Sequence, residues 1–310
     1  MSPGETAADA GLPAAPPAEP AHLVVIGGGY SAGVLLALAA ARGLRLTATT
    51  RSPERFTRLE ALGATPLLFD GTRAEPALAA ALAGATHLLV SAPPDAGGDP
   101  LLACHAEDVR RAPHLRWAGL WSTLAVYGDA GGACIDESAP CRATSERGLR
   151  RIAAEARWQA LAAGRALPLA ILRLAGIYGP GRNALANLAA GTAHRIVKPG
   201  QVFNRIHVDD IAALTLAAAG AGLAGTFNLS DREPAPPQDV VAYAAGLMGV
   251  TPPPEEDFAT ARLSPMARSF YGDNKRVSGE AIVAATGRAL LWPDYRSGLS
   301  GLWNTGRWRG

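Results

Sequence analysis

The chain has 310 residues, 48% of them hydrophobic, enough for a sizeable core in one large domain or two small ones. Its 29 basic and 27 acidic residues leave a formal charge of +2, so no strong field points to nucleic acid. No uninterrupted apolar run reaches the ~18 residues that suggest a membrane span. The three cysteines, Cys104, Cys134 and Cys141, lack CxxC or metal spacing, and their odd count argues against a disulfide framework and for a reducing cytoplasm.

The first 20 residues are dominated by Ala, Pro and Gly, with Glu5, Asp9 and Glu19. They lack the basic start and apolar middle of a signal peptide and read as a disordered lead-in. His22 to Arg51 then reads HLVVIGGGYSAGVLLALAAARGLRLTATTR. Leu23 to Ile26 is short and β-branched enough for a buried parallel strand. Val34 to Arg42 is rich in the helix formers Ala and Leu, Gly43 is placed to stop that helix, and Leu44 to Thr50 reads as a second strand. Strand, glycine turn, helix and strand in about 30 residues make one βαβ unit.

The turn has the chemistry of a dinucleotide site. A bend this tight needs a residue free at positive φ, and a diphosphate touches the backbone only where no Cβ intervenes. The helix start beyond it offers unpaired N–H groups and a positive dipole end. Gly27, Gly29 and Ala32 fit G-x-G-x-x-A. Alternatively, Gly27 and Gly33 are the outer glycines of a G-x-x-x-x-x-G turn whose middle glycine has become Tyr30; Ser31 lies within either. The flanking strand and helix are the context such a pattern requires. The bland reading is a tight turn that binds nothing. An acidic residue at the end of the second strand would grip the ribose hydroxyls of NAD. Thr50, Arg51 and Ser52 stand there instead, with no carboxylate before Glu54. Arg51 suits a 2′-phosphate as a charge-assisted fork, so NADP is expected in preference to NAD. Otherwise Arg51 is a solvated loop charge.

A helix from Pro53 to Leu62 and a strand from Thr65 to Phe69 follow. Asp70 then either faces an adenine or caps the turn Asp70-Gly71-Thr72. After a helix near Glu75 to Leu82, the strand His87 to Val90 breaks at Ser91-Ala92-Pro93-Pro94. Ligands of open α/β sheets lie beyond the carboxyl ends of strands, so Ser91, Ala92 and Pro93 are candidate borders of a cofactor's ribose and nicotinamide. Two prolines also simply end a strand. Leu101 to Ala112 reads as helix and Leu115 to Trp121 as the fifth strand. The alternation predicts an α/β fold with a Rossmann-type, doubly wound parallel sheet.

The fifth strand runs into Ser122-Thr123-Leu124-Ala125-Val126-Tyr127-Gly128. Later, Ile171 to Asn183 reads ILRLAGIYGPGRN, Arg205 to Ile211 reads RIHVDDI, and Phe227-Asn228-Leu229 suits a late strand. Over residues 22–250 the chain resembles the extended short-chain dehydrogenase/reductase superfamily, most of all its atypical NAD(P)-dependent epimerase/dehydratase-like members. That reading divides the chain into an NAD(P)-binding domain over 21–175 and a small substrate-side lobe over 176–310, interleaved with the last sheet strands. The resemblance implies a small polar metabolite or nucleotide-sugar-like substrate and allows a homodimer through the helix that carries Arg147.

The superfamily's active site uses a Ser or Thr hydroxyl, a Tyr, and a Lys four residues after the Tyr. The hydroxyl orients the substrate, the tyrosine transfers the proton, and the lysine holds the nicotinamide ribose and lowers the tyrosine pKa. A free phenol titrates near ~10, and a neighbouring cation brings it into working range. Thr123 matches the hydroxyl; its bland role is to satisfy the backbone at a strand end. The helix Thr144 to Ala163 matches Y-G-x-x-K-x-x-x-E at Gly148 and Glu155. Arg147 then stands at the Tyr position and Arg151 at the Lys position, four apart on one face. Arg151 can take over the ribose contact. Arg147 cannot shuttle a proton, because a guanidinium stays protonated up to a pKa above ~12. It suits an anionic substrate or a cofactor phosphate, or is a solvent-facing charge beside Glu146.

Tyr127, Tyr178, Asp136, Glu137 and His207 are the other candidates for the proton, each with a structural alternative. Tyr178, Arg182, Asn183 and Arg205 are candidate substrate contacts. Asp209 and Asp210 precede an apolar helix, where capping and the dipole favour carboxylates, so no metal site is expected. Two functions follow. One is an NADP-preferring oxidoreductase or epimerase/dehydratase-like enzyme with an unassigned proton donor. The other is a dinucleotide-binding sensor or scaffold without hydride transfer.

Overall fold

The structure, a computed structural model, describes residues 20–310. The lead-in expected over residues 1–20 lies, but for Pro20, outside the described residues. The chain begins β1 (His22–Ile26), α1 (Tyr30–Ala40), β2 (Arg45–Thr50), α2 (Phe56–Ala61), β3 (Ala64–Leu68), α3 (Pro76–Ala83) and β4 (His87–Val90). It continues through α4 (Pro100–Arg111), β5 (Trp117–Thr123), β6 (Cys134–Ile135), α5 (Glu146–Ala163), β7 (Leu169–Leu174) and β8 (Gly176–Tyr178). Then come α6 (Ala184–Ala189), β9 (Arg195–Val197), β10 (Arg205–His207), α7 (Val208–Gly220) and β11 (Gly225–Leu229). The last segments are α8 (Pro237–Met248), β12 (Glu255–Asp257), α9 (Pro265–Phe270), β13 (Arg276–Val277), α10 (Glu280–Thr286) and α11 (Tyr295–Asn304).

Seven strands form one parallel sheet in the order β11-β7-β5-β4-β1-β2-β3. Helices cover both faces, which is why β1 and β7 are buried along their whole length and are apolar but for His22 and Arg173. Leu35 and Leu36 of α1 and Ile211 and Leu214 of α7 pack on one face. Leu78 and Leu82 of α3, Leu101 of α4 and Trp158 of α5 pack on the other. From β1 the chain steps outward to β2 and β3, then returns to place β4 on the opposite side of β1. This reversal opens a crevice at the carboxyl ends of β1 and β4. The α/β, doubly wound expectation holds.

Two local expectations change. The first helix begins at Tyr30, because the glycine turn ends at once with Gly29 as its N-cap. The proline-rich stretch Thr251 to Asp257, which reads in sequence as a linker or exposed loop, contains a strand: β12 pairs in parallel with β9. Pro252, Pro253 and Pro254 hold the backbone just ahead of β12 extended, so the chain enters the strand already straight. The late aromatics pack, as Tyr295, Leu299, Leu302 and Trp308 close a core with Tyr178 and Leu185. The chain's last turn returns to the glycine-proline loop, where the Trp308 carbonyl accepts from Gly181 N at 3.1 Å and Asn183 Nδ2 at 2.9 Å.

Candidate active site

Three consecutive glycines do different work at the mouth of the crevice. Gly27 turns at φ +97°, and a Cβ there would stand 2.9 Å from Ser91 Oγ and 3.0 Å from Ala92 N. A Cβ on Gly28 would lie 2.7 Å from the Leu59 side chain. Gly29 is at φ −78°, and its Cβ would meet nothing within 4 Å. It caps α1 with no side-chain hydrogen bond, and no acidic residue lies in the first turn. The free N–H groups and positive end of α1 therefore face open space that any side chain at 29 would fill. That fits a phosphate group. Ala32 is buried at 1% exposure, while a Cβ on Gly33 would make only ordinary contacts of 3.5 Å and more. Of the two alignments, the geometry matches G-x-G-x-x-A.

Neighbouring strands lock this turn. Thr49 Oγ1 accepts from Gly27 N at 2.9 Å, and the Thr49 carbonyl accepts from Gly28 N at 2.7 Å. The Ser91 hydroxyl donates to the Ile26 carbonyl at 3.1 Å, and Ala92 N donates to the same oxygen at 3.0 Å. Ser91 and Ala92 thus build the crevice floor, with Pro93 ending the strand. Ser31 is buried in the first turn of α1.

At the end of β2, Arg51 is exposed and makes no hydrogen bond or ion pair within the described residues. Its neighbours are tied locally: Ser52 N donates to Thr50 Oγ1 at 3.2 Å, and the Ser52 hydroxyl donates to Glu54. Asp70 accepts from Thr72 N at 2.9 Å and the Thr72 hydroxyl at 2.7 Å. Those bonds hold its carboxyl below the usual range, so Asp70 has the turn-capping role.

The second wall is the end of β5. Thr123 Oγ1 accepts from Ala125 N at 3.2 Å, while its own proton has no acceptor within the described residues. It can therefore cap the backbone and still donate into the crevice. A Cβ on Gly148 would strike Ala143 Cβ at 2.5 Å and approach Ala125 O at 3.1 Å. Glycine at 148 thus lets α5 lie against this segment and brings Arg147 and Arg151 beside the β5 terminus. Arg151 Nη1 donates to the Trp121 carbonyl at 2.6 Å. Burial pulls its pKa below the ordinary value, against the pull of Asp99 and Glu155. Arg147 is exposed, its guanidinium 5.0 Å above the Phe270 ring. Glu146 pairs with Arg150, one turn on, and not with Arg147.

Beneath the wall lies a buried polar knot. Arg173 holds Glu155 in a fork, Nε to Oε1 at 3.2 Å and Nη2 to Oε2 at 2.7 Å, and the Ser122 hydroxyl donates to the same carboxylate. The guanidinium lies 4.8 Å from the Tyr127 ring centre, and the Tyr127 hydroxyl donates to Asn228 Oδ1 at 2.7 Å. Sequence reasoning singled out Glu155 but missed Arg173, although ILRLAG carries a lone cation in an apolar run. Phe270 gave no signal.

No profile of a known protein family matches the chain. A solved structure from Silicibacter pomeroyi DSS, of a conserved protein of unknown function, is 46% identical and superposes with a TM-score of 0.84, covering 92% of this chain and 99% of that one. The chain belongs to the family of that protein. A 3-diazoavenalumate denitrifying reductase from Streptomyces sp is 26% identical over 285 residues, 84% of this chain and 92% of the reductase. The dTDP-glucose 4,6-dehydratase of Bacillus anthracis, solved with NAD, superposes with a TM-score of 0.74 over 93% of this chain and 96% of its own, at 16% identity. That likeness is one of fold, and the fold is that of the NAD-dependent epimerases and dehydratases, as the sequence resemblance implied.

The alternative proton donors are tied into the fold, although Nε2 of buried His207 has no hydrogen-bond partner within the described residues. Burial pushes the Tyr127 hydroxyl up. It pushes Tyr178 up further, and that hydroxyl donates to the Asp294 carbonyl at 3.3 Å. Asp136 caps Ser138, and Glu137 accepts from Asn228 N at 2.7 Å. Burial lowers His207 to about 4, and its Nδ1 accepts from Asp209 N at 3.1 Å, so it is a neutral structural ring. Asp209 and Asp210 sit in the first turn of α7, and no group of three or more metal-ligating side chains occurs among the described residues.

Three of the four candidate substrate contacts, Tyr178, Asn183 and Arg205, make hydrogen bonds within the fold. Asn183 caps α6 through Ala186 N at 2.9 Å and donates to the Gly179 and Trp308 carbonyls, which uses its whole amide. Arg205 is interior and donates to the carbonyls of Phe203 at 2.9 Å and Ala235 at 3.1 Å. With Tyr178, these side chains satisfy a loop that has little regular strand pairing of its own. Arg182 alone of the four is exposed, 5.9 Å from the ring of Tyr30. The Tyr30 hydroxyl donates to the Pro180 carbonyl at 3.0 Å, and burial pushes it up to about 12.

Near Arg205, burial pushes the Asp231 carboxyl up to about 8 against the arginine's pull, and its Oδ2 has no partner. The folded state holds this proton above the unfolded carboxyl's value of ~3.9. The stabilising contribution is thus full below that value and is lost as pH rises through 8. Asp231→Asn should remove that loss. Its Tm relative to the unmodified protein should climb between pH 5 and pH 9, and a pH-independent difference would contradict the assignment.

Proposed function

We propose that the chain is a nicotinamide-dinucleotide-dependent enzyme of the reductase, epimerase or dehydratase kind, acting on a small polar metabolite or nucleotide-sugar-like substrate. One observation carries the reading: the open cradle over Gly29 lies in the same sheet-end crevice as Thr123 and Arg151. The N-terminus of α1 would hold the diphosphate. Arg51 would hold a 2′-phosphate, so NADP is preferred; the dehydratase of similar fold carries NAD, and the preference here rests on Arg51 alone. Bound there, the cofactor supplies or accepts the hydride.

The protein's own part is positioning. Thr123 donates to the substrate oxygen, and Arg151 holds the ribose from the place of the superfamily's lysine. No phenol delivers a proton, so the acceptor either takes hydride without one or draws it from water. The 3-diazoavenalumate denitrifying reductase supports a reductive reading. The absent phenol equally favours a second reading, a dinucleotide-binding sensor or scaffold without turnover.

The test pairs binding with turnover. Arg51→Ala should weaken NADPH binding about tenfold or more and leave NADH binding unchanged, the worth of one charge-assisted contact. Thr123→Val should lower the rate of NADPH oxidation about 100-fold with an accepted carbonyl or diazo substrate. Cofactor binding with no oxidation across such a panel would sink the enzyme reading in favour of the sensor.

A further inference from the structure

Arg147 and Arg151 leave a positive charge at the crevice that the protein does not neutralise. They lie four residues apart on α5, so their side chains share a face, and Arg147 is close enough to bias Arg151 electrostatically. Two carboxylates act on Arg151, Asp99 and Glu155, and both are occupied. Asp99 accepts from Leu102 N at 3.0 Å and Trp158 Nε1 at 2.9 Å. Glu155 is held by Arg173 and Ser122. Three guanidinium groups, Arg147, Arg151 and Arg173, thus face two carboxylates. Arg147 makes no hydrogen bond or ion pair within the described residues, and its guanidinium lies over the face of Phe270, itself 45% exposed.

The cofactor's phosphates are poorly placed to supply the counter-charge. The cradle stands at the end of β1, and β4 separates it from β5. Two strand spacings make ~10 Å. Arg51 lies a strand further away, at the end of β2. The counter-ion for Arg147 belongs to the substrate's side of the crevice, next to Thr123.

We propose that Arg147 is the seat for an anionic group of the substrate, a carboxylate or phosphate close to the carbon that exchanges hydride, with Arg151 beside it on the ribose. This rests on the dinucleotide reading above and narrows its substrate class. Where the superfamily has a phenol to move a proton, this chain has a fixed cation that orients an anion. The planar fork of Arg147 suits either acid in bidentate form. Phe270 lies against the guanidinium, 5.0 Å away, and leaves its N–H groups free to meet an anion.

Matched pairs test the seat: glyoxylate against its neutral amide, and glycolaldehyde phosphate against glycolaldehyde, each titrated into the protein with and without saturating NADPH. The acid should bind at least about tenfold tighter than its neutral partner, and Arg147→Gln should erase the difference. Arg147→Lys should restore part of it, and NADPH binding should be unchanged in both variants. The acid favoured, glyoxylate or the phosphate ester, names the group. NADPH binding with no discrimination between acid and neutral partner overturns the seat and leaves the cofactor reading standing. Discrimination that depends on Arg147 in a protein that binds no NADPH keeps the seat and removes the cofactor reading.

Discussion

Gly29→Asp is expected to raise the protein's stability while lowering dinucleotide affinity by about 100-fold or more. The substituted Cβ would meet nothing within 4 Å, at a backbone φ of −78° that any residue adopts. Its carboxylate would supply the N-cap hydrogen bond that α1 lacks, worth about 0.5–2 kcal/mol, and would complement the helix dipole. The same carboxylate would occupy the space a phosphate needs and repel it. Gly27→Asp is the contrasting variant. It places a side chain at φ +97° and drives a Cβ against Ser91 and Ala92, so it should destabilise outright. Thermal melts and cofactor titrations of both variants separate the roles. Undiminished binding by Gly29→Asp would mean that the cradle is not where the phosphates go.

The second large effect concerns stability alone. Arg173→Ala or Glu155→Ala should each cost about 3–5 kcal/mol, because either leaves an uncompensated charge in the interior. Arg173 and Glu155 are 6% and 4% exposed, and Ser122, Tyr127 and Cys141 all rest on the pair. Replacing both together, Arg173→Met with Glu155→Leu, should recover much of the loss. Denaturant unfolding of the two single variants and the double measures this coupling. Single-variant losses below ~1 kcal/mol would show that the pair is solvated in solution. Because the knot underlies the β5 terminus, the single variants should also loosen Arg151 and Thr123.

The sheet was legible because strands buried on both faces must be apolar save for a paired charge such as Arg173. Leu23 to Ile26 and Leu169 to Leu174 could hardly have been anything else. The glycine turn was legible too, but not its alignment, since the choice depends on which Cβ vector points into space and which into Leu59 or Ser91. The short strands β9 and β12 carry no alternation long enough to register. The substrate-side residues were ambiguous in sequence for a different reason. Asn183 follows a glycine-proline loop and Arg205 opens β10, and both look like binding residues in sequence. In the folded chain their polar groups are needed by backbone carbonyls brought from positions 203, 235 and 308. The substitution of arginines for the tyrosine and lysine was plain in the sequence. That Arg147 lacks a partner was not, because Glu146 stands beside it and turns instead to Arg150.

The account stands or falls on the cradle, and equilibrium titration of the unmodified protein with NADPH and NADH, followed by nicotinamide fluorescence, tests it most directly. It predicts saturable binding of both, tighter for NADPH. Absence of binding by either would contradict it and leave the three glycines as a packing device between β1, α2 and β4.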